Sequence, residues 1–361
     1  MSSETALSIL DSRIEAIIDF LTHAQKEDGE FKTLRNFRSQ VENYVTKTNY
    51  EGWYDYGKCP FATANIMYHL SEIRHPQVTE IIKKGCLFLT EGFENGVVRY
   101  VPGRYKNIDF PADIDDTALA AAALIKNGYP VNVNIKMILA NSDSKGNLFT
   151  WLIPRTNHLK HPRNFYWLSQ DLILQHNQNR KYATDTKNRK HRLQEYKTSR
   201  EPAITANVLL LTGINRSTKK YLSSLSMRLR NNDIPLQYYS NILVVYFHVA
   251  RLYKSGVREL ITVKDQIVSD ILSKQNQNGE VENPFNTALA ALSLIFYDCW
   301  DLPALESMIH YIVSSPMHEE GWRPFHYCND LDNVFEDGGA ELTATFYLHI
   351  IYSWRYKHYP E

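Results

Sequence analysis

The sequence predicts an all-α fold: a single domain over residues 1–361, built as an (α/α)6 toroid of alternating inner and outer helices. Three observations predict it. The dipeptide Thr-Ala recurs at the head of apolar helical runs, and amphipathic helices that close in a glycine turn alternate with those runs. Strand signals are sparse, with no alternating run of useful length and no Asn-Gly hairpin among β-branched residues.

The inner runs are "CPFATANIMYHL", "DIDDTALAAAAL", "EPAITANVLLLT", "NPFNTALAALSL" and "GAELTATFYLHI", marked by Thr63, Thr117, Thr205, Thr287 and Thr343. In three of them Pro60, Pro202 and Pro284 sit three residues before the threonine, where a first helical residue lacks an N–H partner in any case. Asp113 and Asn283 occupy the preceding position and suit an N-cap. All five runs are apolar on nearly every side, as helices buried all round must be. A sixth, "IPLQYYSNILVVYFHVARLY", lacks the Thr-Ala mark and is equally apolar.

The outer elements are "FLTHAQKEDGEF", "CLFLTEGFENGVVRY", "ILANSDSKGNLFTWL", "ILSKQNQNGEVENP" and "HYIVSSPMHEEGWRPF". Each closes in a Gly-x-aromatic or Gly-x-aliphatic turn, and Gln25 and Gln275 fall at matching places. Six inner–outer pairs close into a toroid whose inner helices run parallel and open their N-termini at one end.

Composition narrows the function. Forty basic and forty acidic side chains cancel, which argues against nucleic-acid binding by bulk charge. Cys59, Cys86, Cys299 and Cys328 are scattered, without the spacing of a zinc ribbon or a disulfide framework. The N-terminus has no secretory pattern, and no segment has the roughly 18 uncharged apolar residues of a spanning helix. The expectation is a soluble, cytoplasmic protein with reduced thiols.

One repeat carries extra chemistry. "FPADIDDTALAAAALIK" sets Asp113, Asp115 and Asp116 at one helix start. The positions equivalent to Asp115 in the other repeats are Phe61, Ala203, Phe285 and Glu341, and those equivalent to Asp116 are Ala62, Ile204, Asn286 and Leu342. Capping requires only the Asp113 position, so it leaves two carboxylates unexplained.

These residues carry a resemblance. The helix–Gln–Gly–aromatic elements resemble degenerate QW repeats of the squalene-hopene and oxidosqualene cyclase superfamily, and "DIDDTA" resembles the DxDD acid motif of that family and of class II diterpene cyclases. The likeness of the repeats covers most of the chain. It implies that Asp115, third in the motif, is a general acid that protonates a terminal alkene or epoxide of a polyprenyl chain or prenyl diphosphate and so starts a carbocation cyclisation. Asp113 and Asp116 would crowd it or hold its proton in place. Burial and like charge raise a carboxyl pKa, against the pull of a helix N-terminus. Aromatic faces would then stabilise the cation, the candidates being Trp53, Tyr54, Tyr56, Trp167, Trp322, Phe325 and Tyr327. The chain departs from the family in length, sufficient for one barrel where those enzymes use two, and in its QW repeats, of which only Gly321–Trp322 keeps the tryptophan. Either the single barrel has its own cavity, or a partner chain completes the site, or the chemistry is lost and a non-catalytic isoprenoid- or partner-binding barrel remains.

Three other readings compete. "NDLDNVFED", Asn329 to Asp337, loosely matches the magnesium motif of class I terpene synthases, but the aspartate-rich partner motif is absent. Protein prenyltransferase β subunits share the barrel and bind zinc; here Asp298–Cys299 has the wrong spacing, and His326 with Cys328 lacks a partner pair. No cofactor is expected, with Mg2+ entering only for a diphosphate substrate. The segment from Arg180 to Arg200 holds eight basic and two acidic residues; it reads as a solvated loop, or as a basic rim for a diphosphate or for peripheral contact with an anionic membrane.

Overall fold

The computed structural model describes residues 3–37, 46–48, 51–55, 57–100, 110–182, 194, 196–315, 323–329 and 335–360. In chain order, outer helix α1 (Ser3–Ala24) is followed by inner helix α2 (Pro60–Leu70), and α3 (Pro76–Glu91) by α4 (Ile114–Lys126). The short α5 (Ile135–Ala140) and an inserted α6 (Pro162–Tyr182) precede α7 (Pro202–Thr212). The pairs α8 (Lys219–Arg230) with α9 (Ile242–Lys254), α10 (Lys264–Ser273) with α11 (Pro284–Phe296) and α12 (Pro303–Ser314) with α13 (Ala340–His358) complete the chain. The inner helices pack in the cyclic order α2–α4–α7–α9–α11–α13 and back to α2, which closes the (α/α)6 ring.

Burial follows the sequence pattern. Every residue of α2 is buried, and so is α11 from Phe285 to Phe296. Outer helix α12 instead buries one stripe, Leu305, Met308, Ile309 and Ile312, the spacing of a single helical face. No helix among the described residues is long and apolar enough to cross a membrane.

The repeat marks have physical causes. Gly29 and Gly279 both adopt φ +91, where a side chain is strained, and a Cβ on either would come within 2.2 Å of a carbonyl oxygen in the next outer helix, Lys84 or Ser307. Gln25 and Gln275 brace those turns, donating to Gly29 and Gly279 oxygens and, beyond, to Ile81 and Ala304 oxygens. The Thr-Ala threonine then catches the chain leaving the turn. Thr63 accepts from the Phe31 amide, Thr117 from Val98 and Thr287 from Val281, each at 2.8 Å. Each bond satisfies a buried N–H that would otherwise be orphaned.

The sequence holds little sign of the sheet at the N-terminal end of the barrel. Strands β1 (Leu34–Phe37), β2 (Thr46–Lys47), β3 (Trp53–Asp55), β6 (Phe325–Asn329) and β7 (Phe335–Gly339) pair antiparallel in the order β2-β3-β1-β7-β6, while β4 (Val98–Arg99) pairs with β5 (Ala112–Asp113). The strands are two to five residues long, too short for an alternation to show. The central pair joins opposite ends of the chain, with Arg35 directly across from Asp337. β3 runs towards α2, β5 into α4 and β7 into α13, so the sheets border the open ends of the inner helices.

Candidate active site

The acid cluster sits where β5 turns into α4. Asp113 has extended backbone, and its Oδ1 accepts from the amides of Asp115 at 2.6 Å and Asp116 at 3.3 Å. It is therefore the N-cap, as its position required. Asp115 turns across the barrel: its Oδ1 accepts from Asn207 Nδ2 of α7 at 2.6 Å, and its Oδ2 meets the hydroxyl of Tyr239, just ahead of α9. Asp116 keeps one oxygen, Oδ2, buried and without a hydrogen-bond partner among the described residues.

All three carboxyls are at least nine-tenths buried. Burial, and then the neighbouring Asp115 charge, push Asp113 well above the ordinary aspartate range. Burial followed by the charges of Asp113 and Asp115 does the same to Asp116. Burial also raises Asp115, while the Asn207 and Tyr239 hydrogen bonds and the Arg251 charge pull it back. The cluster thus favours protonated carboxyls, with Asp115 the one whose anion is best supported.

A fourth acid was not visible as such in the sequence. Glu201 holds the same register position ahead of Thr205 that Asp113 holds ahead of Thr117, but makes no cap bond. Its Oε1 accepts from the amides of Gln237, Tyr238 (2.6 Å) and Tyr239 (3.4 Å), its Oε2 is buried without a partner, and burial pushes it up to about 8. It latches the chain entering α9.

These four acids line one cavity with Arg35, Phe61, Tyr100, Phe110, Thr150, Trp151, Ile204, Tyr238, Tyr239, Cys328, Asn329 and Asp337. Phe110 stacks on Trp151 with ring centroids 5.8 Å apart, and Trp151 Nε1 donates to the Tyr238 hydroxyl at 2.6 Å. On the sheet side, Arg35 binds Asp337 through two bonds of 2.7 Å, and the Tyr100 hydroxyl donates to Asp337 at 2.5 Å. Both Asp337 oxygens are thereby engaged with protein donors, so the last position of the magnesium-like motif serves an ion pair. Among the described residues no group of three His, Cys, Asp or Glu side chains is placed to hold a metal ion. Asp298 pairs with Lys254 just beyond the C-terminal end of α11, while His326 pairs with Glu336 on the sheet.

The aromatic candidates are spread around this end of the barrel. Tyr327 is fully buried, packing on Phe61, Phe285 and, edge-on, on Tyr239. Trp53 stacks on His326 in the sheet, where Tyr54 adjoins it in β3. Phe325 is half-buried in β6, and Trp167 lies under the Arg99 guanidinium on α6. The aromatics on the cavity wall are instead Phe61, Tyr100, Phe110, Trp151, Tyr238 and Tyr239. Tyr56 and Trp322 lie outside the described residues, as does most of the basic segment. Asn207 is the polar position inside "EPAITANVLLLT". A lone Asn in an apolar run is the signal that could have flagged it.

No protein-family model matches the sequence, and no curated protein matches it. Solved structures do. A variant of the type II terpene cyclase MstE from Scytonema, in complex with merosterolic acid A (product), has a TM-score of 0.65 at 13% identity, covering 98% of this chain and 99% of that chain. Another MstE variant, in complex with geranylgeranyl dihydroxybenzoate (substrate), gives 0.63 at 13% identity over 96% and 98%. A protein from Actinoplanes gives 0.63 at 14% identity over 96% and 99%. This chain has the α/α-barrel fold of the type II terpene cyclases.

Proposed function

We propose that this chain is a class II terpene cyclase in which Asp115 starts cyclisation by protonating a polyprenyl substrate. The observation that carries the reading is the placement of Asp115: a buried acid on an aromatic-lined cavity, held by one amide donor and one phenol. The Asp115 proton adds to a terminal alkene or epoxide; the resulting cation is attacked by the next double bond, and loss of a proton from the final cation closes the reaction with no net change in atoms. Phe61, Trp151 and Tyr238 line the cavity, and their rings would stabilise the cation. The proton comes from the chain itself, so the reaction proposed calls on no metal.

The described cavity walls present one guanidinium, Arg35, and it is already engaged by Asp337. That favours an uncharged polyprenyl chain over a diphosphate at these groups.

The test is incubation of the purified protein with farnesyl, geranylgeranyl and squalene-type substrates, both diphosphates and neutral forms, with products read by mass spectrometry. Cyclic isomers of the added substrate support the reading. Tight binding of the same compounds without turnover would return the chain to a non-catalytic isoprenoid-binding barrel.

A further inference from the structure

Beneath Asp115 lies a buried cation. Arg251 on α9 is 2% exposed, with its guanidinium near the rings of Tyr68 and Phe247, at 4.8 and 5.1 Å from their centroids. Its Nη2 donates to Asn207 Oδ1 at 2.5 Å and to His248 Nδ1 at 2.7 Å, while Nε and Nη1 have no hydrogen-bond partner among the described residues. A buried guanidinium is costly unless something offsets it. The nearby carboxyl connected to it by hydrogen bonds is Asp115, through Asn207.

The chemistry of the donors orients this chain. A guanidinium can only donate, so Asn207 must turn its oxygen to Arg251 and its NH2 to Asp115. The NH2 in turn can only donate, so Asp115 Oδ1 is an acceptor, and the acidic proton belongs on Oδ2, beside Tyr239. The Tyr239 hydroxyl is placed as a donor to Oδ2, and burial pushes its phenol well above its usual range, so it keeps its own proton; with Tyr239 donating, the Oδ2 proton is left for the cavity. Burial and the Arg251 charge push His248 well below its usual range. His248 is thus neutral: it accepts at Nδ1, and its Nε2–H donates to the Tyr327 hydroxyl at 3.0 Å.

We propose that Arg251 is a positioning residue for the acid: through Asn207 it selects the Asp115 oxygen that bears the transferable proton and stabilises the carboxylate left after transfer. This rests on the protonation reading above. The other groups facing Asp115 do not supply a cation. Asp113 and Asp116 come from its own helix, Glu201 from the entry to α7, Tyr239 and His248 from the entry and body of α9, and Tyr327 from β6; on the far wall Arg35 is paired with Asp337.

The experiment compares Arg251→Met, Arg251→Lys and Asn207→Asp with wild type on a substrate that wild type cyclises. Removing the cation makes Asp115 a weaker acid, and each pKa unit lost costs up to about tenfold in rate. Arg251→Met should lower kcat with little change in KM and move the alkaline limit of activity to higher pH. Arg251→Lys should recover part of both. Asn207→Asp gives Arg251 a carboxylate partner, so it should fold well, and it should shift the pH limit the same way. A substrate-free readout is the infrared carbonyl band of protonated Asp115, assigned by its loss in Asp115→Asn, whose titration midpoint should rise in Arg251→Met. An unmoved pH limit and an unmoved midpoint would overturn the proposal, whatever happens to kcat. If wild type cyclises nothing, or Asp115→Asn cyclises normally, the protonation reading itself has failed; the infrared midpoint still decides whether Arg251 acts on Asp115.

Discussion

At the start of α11, Asn283 accepts from the Asn286 amide and Thr287 accepts from the Val281 amide, both at 2.8 Å. At the start of α4, Asp113 accepts from the Asp115 and Asp116 amides, and Thr117 accepts from Val98 at 2.8 Å. The two helices begin on one plan: a short polar cap, then a threonine that pins the strand arriving from the outer helix. Of the three positions between, the last two carry the chemical difference. α11 has Phe285 and Asn286, whereas α4 has Asp115 and Asp116, one aimed at Asn207 and Tyr239 and the other with a buried oxygen unpartnered. The threonine bond is common to both starts, and α11 shows that the fold does not need the acids. Two buried carboxyls that the architecture does not require oppose stability, a cost that the protonation proposed for Asp115 would account for.

The sharpest way to break this comparison is Asp115→Asn. The amide can keep the Asn207 contact but has no transferable proton, so cyclisation should fall by about 10²–10⁴-fold or more, while the thermal midpoint stays close to wild type. Normal turnover by this variant would make the α4 acids as ornamental as their absence from α11 implies.

Glu201 sits in its own repeat at the register position of Asp113, and it predicts a pH effect. Its folded-state value, about 8, lies above the ordinary 4.5. Between those values the folded chain holds a proton that the unfolded chain releases, so stability falls as pH rises through the window. The slope from one such group is about 1.4 kcal/mol per pH unit. Glu201→Gln keeps an oxygen for the three amides and cannot titrate. Denaturant melts from pH 5 to 8 should therefore show a shallower decline than wild type, and parallel curves would remove Glu201 from the buried acids.

Thr287→Val and Thr117→Val test the shared part of the plan. Each orphans a buried amide, and each should cost about 1–3 kcal/mol in a denaturant melt, by similar amounts in the two repeats. A much larger loss at Thr117 would mean that the α4 threonine also holds the acid cluster in place.

The smallest effects belong to the caps. Asn283→Ala should cost about 1 kcal/mol, while Asp113→Asn should be nearly silent in stability because asparagine caps as well as aspartate. Its activity should fall less than that of Asp115→Asn. If Asp113→Asn instead abolishes activity in a fully folded protein, the cap carries chemistry of its own.

The sequence by itself determined the ring. Thr63, Thr117 and Thr287, the glycines at 29 and 279, and the glutamines at 25 and 275 are local necessities repeated in register. A positive φ, a buried N–H and an apolar helix each leave a mark within a dozen residues. It determined the cap role of Asp113 for the same reason. What only the tertiary structure decided is who meets Asp115. Asn207, Tyr239 and Arg251 come from two other repeats, and Arg35 finds Asp337 across strands some three hundred residues apart in the chain. Inner helices are buried all round, so their apolar pattern has no face, and nothing in "EPAITANVLLLT" or "NILVVYFHVARLY" says which way its few polar side chains point. Ring closure sets that direction, because it alone brings α4, α7 and α9 side by side around one axis.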